Sequence, residues 1–248
     1  MPTITIENGD WGSSRPQDVH VVVQSVCDVF HVDASIDLAD PVILRYSESH
    51  GPRALIERGP DNEHIILVSA RDCLWSKLAY QFAHEYCHVF SDHYNVPLNN
   101  RFRWLEESIC ELASLHALLR MSAIWQSQPP YDNWRSYANS LASYANDRIN
   151  SAERFGSAPR FREWLDVNIQ RMSVDSVVRE LNDVVAVHLL PYFQQSPDAW
   201  RVVAQINRRP NLNGSLDAYF AAWSNATDGD PNIAGIADLM DVPMQNAS

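Results

Sequence analysis

A β-strand followed directly by a long helix is predicted within residues 64–93, which read HIILVSARDCLWSKLAYQFAHEYCHVFSDH. Residues 64–70 form an apolar run rich in β-branched side chains, which favours a buried strand. From about residue 72 to residue 93 the apolar side chains recur at the spacing of a helix. The rest of the predicted fold is built around this strand and helix.

A small mixed sheet is predicted on the N-terminal side, and helices are predicted on the C-terminal side. Strand-like segments are residues 3–7, 41–46 and 53–58, and a helical pattern covers residues 17–32 directly after Pro16. A second, largely apolar helix is predicted over residues 102–125. Further helices are predicted over residues 131–151, 160–172, 174–190, 198–207 and 216–225.

Two lobes are expected, with their boundary at Pro129-Pro130. Residues 1–128 would form an N-terminal α/β lobe, and residues 129–248 a C-terminal helical lobe. Pro191 is expected to end the helix over residues 174–190, because proline cannot donate a helical hydrogen bond. The predicted fold class is therefore α+β and predominantly α.

Composition and charge limit the classes of function. The chain has 248 residues, 46% of them hydrophobic, and a formal net charge of −12. An acidic chain of this kind lacks the basic surface that nucleic acids and anionic membranes attract. It also lacks an apolar run of about 18 residues that could span a membrane, and a basic, apolar leader. Four cysteines without a CxxC pair are typical of free thiols, so a cytoplasmic protein is expected.

The predicted helix over residues 72–93 contains the motif HExxH, from His84 to His88. Residues four apart on a helix lie one turn apart on nearly the same face. The two imidazoles could therefore bind one Zn²⁺, each through a nitrogen. Glu85 lies about 100° around the helix from His84, where a carboxylate can reach a water and act as a general base.

A catalytic zinc ion has three protein ligands, so one more is needed. Asp92 is an unfavourable choice, because it lies about 6 Å further along the helix axis than His88. The extended motif HExxHxxGxxH is not present, since Ser91 and Tyr94 stand at its glycine and last histidine positions. The third ligand is therefore expected from another part of the chain.

Three carboxylates lie in the otherwise apolar helix predicted over residues 102–125: Glu106, Glu107 and Glu111. Burying a carboxylate is costly unless a cation or hydrogen bonds compensate its charge. A metal ion would provide this compensation. The helix is therefore a candidate source of the third ligand.

The spacing of these residues resembles that of the gluzincin metallopeptidases, the thermolysin-like and aminopeptidase-like proteins. Their pattern is HExxH, then about eighteen residues, then a glutamate ligand on the next helix. Here 18 residues separate His88 from Glu107, and the segment WLEES at residues 104–108 is similar to the start of the family's glutamate helix. The sequence departs from the family at Glu106, where asparagine is usual, and it has no GxMEN-like segment, so the resemblance does not extend to the aminopeptidases.

The resemblance implies a zincin-like core with one Zn²⁺ per chain. His84, His88 and Glu107 would be its ligands, and Glu85 would be the general base and proton shuttle. Glu111 matches an acidic residue that orients a zinc-binding histidine in thermolysin-like members, here His84. The implied activity is that of a zinc metallopeptidase with a peptide or protein substrate.

Two further features of such a site are expected. The strand over residues 64–70 would lie at the edge of the cleft and pair with an extended substrate. A hydrogen-bond donor from the downstream lobe would stabilise the transition state, and the candidates are Tyr131, Tyr137, Tyr144 and His188. Tyr137 and Tyr144 are seven residues apart and share a helix face.

Two alternatives remain open at this point. One is a zinc hydrolase of the same design that acts on a non-peptide amide. The other is a catalytically silent scaffold or regulator in which the metal is only structural. An open coordination position would favour an enzyme, and a fourth protein ligand from cysteine or histidine would favour the structural role.

Overall fold

The computed structural model of the chain describes residues 1–95, 100–208 and 214–244. It forms two compact units, each made of two sequence segments. We call residues 1–90 with 113–150 the sheet unit, and residues 91–112 with 151–248 the helical unit. The structure is mostly helical with one small sheet, which confirms the predicted α+β, predominantly α class. The expected lobes of residues 1–128 and 129–248 stay a prediction.

The sheet unit contains four strands and the helices that pack on them. The strands are β1 (Ile4–Ile6), β2 (Val42–Tyr46), β3 (Arg53–Ala54) and β4 (His64–Val68). The helices are α1 (Pro16–Ala34), α2 (Trp75–Phe90), the second half of α3 (Arg103–Ser127), a short 3-10 helix (Asp132–Trp134) and α4 (Tyr137–Ser151).

The sheet has the strand order β1-β2-β4-β3, and β3 is the only antiparallel strand among those described. Strand β4 pairs with β2 on one side and with β3 on the other, where Ala54 lies opposite Ile66. The expected pairing of β4 with a substrate is therefore wrong at Ile66 and Leu67, because β3 pairs with these residues instead. The place of residues 64–70 at the edge of a cleft stays a prediction. Strand β3 forms the edge of the sheet, and all five residues of β4 are buried.

Apolar packing and one buried amide hold α2 in place. The Phe30 ring of α1 lies 6.0 Å from the ring of Tyr86 and 5.3 Å from that of Phe90. The Gln81 side-chain oxygen accepts hydrogen bonds from the backbone N–H groups of Ser69, at 3.0 Å, and Ala70, at 3.1 Å. These bonds satisfy the two backbone N–H groups that follow β4 and fix the position of α2 along the strand.

The helical unit contains the first half of α3 and the C-terminal helices. These are α5 (Ala158–Val174), α6 (Arg179–Gln195), α7 (Trp200–Val203), α8 (Leu216–Ala226) and α9 (Pro231–Leu239). The core is aromatic, with the Phe193 and Trp200 rings 4.6 Å apart and the Phe102 and Tyr219 rings 4.9 Å apart. Within the described ranges, every helix is too short or too polar to cross a bilayer.

Pro191 does not end α6, contrary to expectation, since this helix continues to Gln195. A proline within a helix costs about 3 kcal/mol, because one hydrogen bond is lost and the ring crowds the preceding turn. Packing beyond Pro191 offsets this cost. Phe193 is fully buried, and the Tyr192 hydroxyl donates a hydrogen bond to Asn232 Oδ1 at 3.0 Å. Tertiary contacts thus outweigh the local preference.

A buried carboxylate that contacts a buried histidine and a partly exposed arginine links α1 to α3 within the sheet unit. His116 Nε2 lies 2.8 Å from Asp33 Oδ2, and Arg120 donates to both oxygens of the same carboxylate, at 3.0 and 2.7 Å. Burial lowers the pKa of His116, although the hydrogen bond to Asp33 opposes this shift. Burial alone would raise the pKa of Asp33, but the bonds from His116 and Arg120 outweigh it, and this pKa is lowered. The pair is therefore a neutral imidazole that donates to an ionised carboxylate.

We expect His116 to make the protein less stable in mild acid. Below about pH 6.5 the unfolded chain protonates this histidine, while the folded chain resists protonation, so the free energy of unfolding falls as the pH falls. His116→Gln keeps a donor for Asp33 but does not titrate. Urea unfolding at pH 7.0 and pH 5.5 should show a smaller fall for the variant, with one proton accounting for at most about 1.4 kcal/mol per pH unit. The exposed His50, changed to Gln, is the control, and an equal fall in wild type and His116→Gln would contradict the prediction.

Candidate functional site

The HExxH residues all lie on α2 in the sheet unit. The rings of His84 and His88 are one turn apart, with centroids separated by 5.0 Å, and each offers a nitrogen within 4.8 Å of the other's. His88 is buried and His84 is half-buried. Two imidazoles in this arrangement suit two ligands of one metal ion. Their role as ligands stays a prediction.

The carboxylate of Glu85 faces the edge strand β3. Its Oε2 accepts a hydrogen bond of 2.7 Å from the backbone N–H of Ala54. The next N–H of the chain, that of Leu55, donates the other way, to Ile65 in the sheet. Glu85 therefore accepts a hydrogen bond from a backbone N–H of β3 that points away from β4. With only 4% of its surface exposed, this carboxylate is held in one position.

The three glutamates of α3 are buried in the helical unit, and each has a basic partner there. Glu106 Oε1 accepts a hydrogen bond from Ser91 at 3.1 Å and lies 2.8 Å from His93 Nδ1. Glu107 Oε1 lies 3.5 Å from Arg103 Nε, and Glu111 Oε1 lies 3.5 Å from Arg179 Nε. Protein side chains thus supply part of the compensation that the sequence argument assigned to a metal ion.

His93 is a residue that the sequence reasoning missed. Its side chain is only 13% exposed, and it contacts two charged neighbours. Its Nδ1 faces Glu106, and its Nε2 lies 3.2 Å from a guanidinium nitrogen of Arg103. No local pattern predicts this, because the contacts depend on how the chain turns after α2.

Side chains that could hold a metal ion are present in both units. In the sheet unit they are His84 and His88. In the helical unit they include His93 and Glu106, and also Cys110, which is fully buried on α3. A cysteine thiolate is a strong zinc ligand.

The four candidate transition-state donors lie in different surroundings. In the sheet unit, the Tyr144 ring is 5.5 Å from that of Tyr80, which precedes His84 by one helical turn. The rings of Tyr131 and Tyr137 instead pack on Trp134, at 4.9 and 5.6 Å. Tyr144 is therefore the tyrosine that the structure brings to α2.

His188 has a packing role in the helical unit. Its ring stacks on Phe161 at 3.8 Å, and its Nε2 donates to the backbone oxygen of Leu239 at 2.8 Å. Burial lowers the pKa of this imidazole, although the hydrogen bond to Leu239 opposes the shift. These contacts explain the residue without a catalytic role.

Comparison of the chain with protein-family models, curated proteins and solved structures gives no match. The resemblance to gluzincins therefore rests on the residues of α2 and α3 themselves.

We expect Glu85 to stabilise the sheet unit through its bond to Ala54. Glu85→Ala should lower the free energy of unfolding by about 1–3 kcal/mol, because a hydrogen bond to a charged group is lost. Glu85→Gln should lower it less, since an amide oxygen can still accept the bond. The measurement is urea unfolding in the presence of a metal chelator, with the exposed Glu57→Ala as control. Equal stability of Glu85→Ala and wild type would show that the bond to Ala54 contributes nothing.

Proposed function

We propose that the protein is a zinc-dependent metallopeptidase of gluzincin type with a zincin-like core. The observation that carries the proposal is the geometry of α2. It presents the rings of His84 and His88 one turn apart and holds the buried carboxylate of Glu85 against an edge strand. Imidazole nitrogens are preferred zinc ligands, so this donor set fits the ion.

One Zn²⁺ per chain would be held by His84, His88 and Glu107. When bound, the ion would polarise the scissile carbonyl and make a water more acidic. The assignment of Glu107 is supported by its 18-residue separation from His88 and by its burial on the next long helix, α3. Glu111, one turn beyond, would orient His84.

Glu85 would move the proton during hydrolysis. It accepts a proton from the attacking water as the water oxygen bonds to the carbonyl carbon, and it donates that proton to the leaving nitrogen as the C–N bond breaks. Its Oε2 is bonded to Ala54, which fixes the plane of the carboxylate. We assign the proton transfer to Oε1.

The edge strand favours a peptide substrate over a small amide. An extended peptide can add to a sheet edge through backbone hydrogen bonds, which a small amide cannot do. In this protein the edge is β3, and because its Ala54 N–H already donates to Glu85, a peptide would pair with β3 through other backbone groups. Tyr144 is the donor that we propose for the transition state, with Tyr137 as the alternative.

A structural metal centre is the second candidate function. It is favoured by one observation: Cys110, a fully buried thiol on α3, is among the residues that could hold a metal ion. A site completed by a thiolate would be more typical of a structural zinc ion. The protein would then be a metal-containing scaffold or regulator.

The identity of the third ligand separates the two candidates. We expect about one zinc per chain in the wild type, strong loss of zinc in Glu107→Ala, and retention in Cys110→Ser. Elemental analysis of the purified proteins measures this, with the buried Cys87→Ser as a matched control. Cobalt substitution adds a second measurement, because a thiolate ligand produces a charge-transfer absorption band. Loss of zinc in Cys110→Ser together with its retention in Glu107→Ala would support the structural centre instead.

The role of Glu85 is tested by Glu85→Gln. We expect this variant to keep its zinc but to hydrolyse peptides about 10²–10⁴-fold more slowly, because an amide cannot accept the proton. Cleavage of a peptide library, followed by mass spectrometry, is the measurement, and a panel of small amides tests the non-peptide alternative. A wild-type rate in Glu85→Gln would remove Glu85 from the proposed mechanism.

A further inference from the structure

A continuous row of polar side chains connects Glu106 to Glu107 within the helical unit. Glu106 Oε1 lies 2.8 Å from His93 Nδ1, and His93 Nε2 lies 3.2 Å from a terminal guanidinium nitrogen of Arg103. The Nε atom of the same guanidinium lies 3.5 Å from Glu107 Oε1. We call these four residues the His93 relay. They are all in residues 91–112.

The chemistry of the two neighbours fixes the proton on His93. Arginine has only donors, so His93 Nε2 must accept the hydrogen bond from Arg103. An ionised carboxylate only accepts, so His93 Nδ1 must carry the proton and donate it to Glu106. The neutral Nδ1–H form of the imidazole satisfies both contacts at once. Each ring nitrogen of His93 therefore makes a hydrogen bond with a neighbouring side chain, Nδ1 with Glu106 and Nε2 with Arg103.

The relay is anchored at its far end. Glu106 also accepts a hydrogen bond from the Ser91 hydroxyl, and the backbone oxygen of Ser91 accepts one from Asn207 Nδ2 at 3.0 Å. Ser91, Glu106 and Asn207 are all buried. His93 is thus held by a fixed carboxylate and not by a mobile surface group.

We propose that His93 is a positioning residue for Glu107 and that it acts through Arg103. Arg103 and Glu107 are four residues apart on α3, a spacing that by itself gives only a weak, mobile ion pair. Here His93 holds the guanidinium, whose side chain is 25% exposed, beside a carboxylate that is 7% exposed. The ion pair with Arg103 would limit the orientations in which the Glu107 carboxylate can face the metal ion. This inference rests on the proposed function, in which Glu107 is the third zinc ligand.

The expected consequence is a loss of zinc affinity when the relay is broken. Removing a residue that orients a metal ligand typically costs about 10–100-fold in affinity. His93→Leu should show such a loss, because leucine can hold neither Glu106 nor Arg103. His93→Gln should stay close to wild type, because its amide can donate to Glu106 and accept from Arg103. Glutamine is a poor zinc ligand, so rescue by His93→Gln would also exclude His93 itself as a ligand.

The experiment is a competition titration of the full chain with zinc and a chromophoric chelator at one fixed pH. Urea unfolding of the metal-free proteins verifies that each variant is folded. Arg103→Gln provides the same test should His93→Leu fail to fold, and the exposed Arg101→Gln is its matched control. A loss of affinity in Arg103→Gln but not in Arg101→Gln is the expected result.

A double-mutant cycle with Glu107→Ala makes the test specific. If His93 acts through Glu107, His93→Leu should cause no further loss of zinc affinity in the Glu107→Ala background. Equal losses in both backgrounds, or equal losses in His93→Leu and His93→Gln, would overturn the inference. If Glu107→Ala itself left zinc affinity unchanged, the proposed third ligand would be wrong and the inference would fall with it.

Discussion

One amide and one carboxylate side chain on the same face of α2 bind this helix to the sheet. The candidate site depends on these two contacts. Gln81 binds the backbone at the end of β4, and Glu85, one turn later, binds the backbone of Ala54 in β3. Because both contacts are to backbone groups, they fix the rotation of α2 as well as its position. His84, about 100° from Glu85 around the helix, is set by the same constraint, and His88 follows it by one turn. The sheet therefore determines where the two imidazoles point.

The buried glutamates of α3 have basic protein neighbours that the sequence does not reveal. From the sequence, three carboxylates in an apolar helix indicated a cation, and a metal ion was the simplest choice. The structure provides Arg103 and Arg179 beside two of them and His93 beside the third. The burial of these glutamates is thus compatible with a metal but does not require one. The case for zinc rests more on His84 and His88 than on the charges of α3.

The parts of the fold that the sequence predicted are those with a strong local pattern. Strand β4 and helices α1, α2 and α3 were all located within a few residues, because apolar periodicity dominates in long segments. A strand was predicted over residues 53–58, but its restriction to Arg53–Ala54 and its place at the sheet edge could not be predicted, since both depend on the pairing with β4. The continuation of α6 through Pro191 also escaped prediction, because it depends on the packing of Phe193.

The same distinction applies to the candidate site. The HExxH residues are adjacent in sequence, so their relative placement on a helix follows from the helical repeat alone. The bond from Ala54 to Glu85 and the contacts of His93 join residues from different elements, and only the folded chain reveals them.

In the proposed enzyme, the base Glu85 and the third ligand Glu107 would be positioned by separate sets of residues. Glu85 is held by β3, a strand of the sheet unit, through a single backbone hydrogen bond. Glu107 is held through Arg103 and His93, which belong to the helical unit. A change in the His93 relay would therefore alter how Glu107 is presented without touching Glu85, whereas a change at β3 would affect Glu85 and, through α2, the two imidazoles as well. In the proposed enzyme, affinity for the ion could thus change at the His93 relay without a change in the rate of proton transfer.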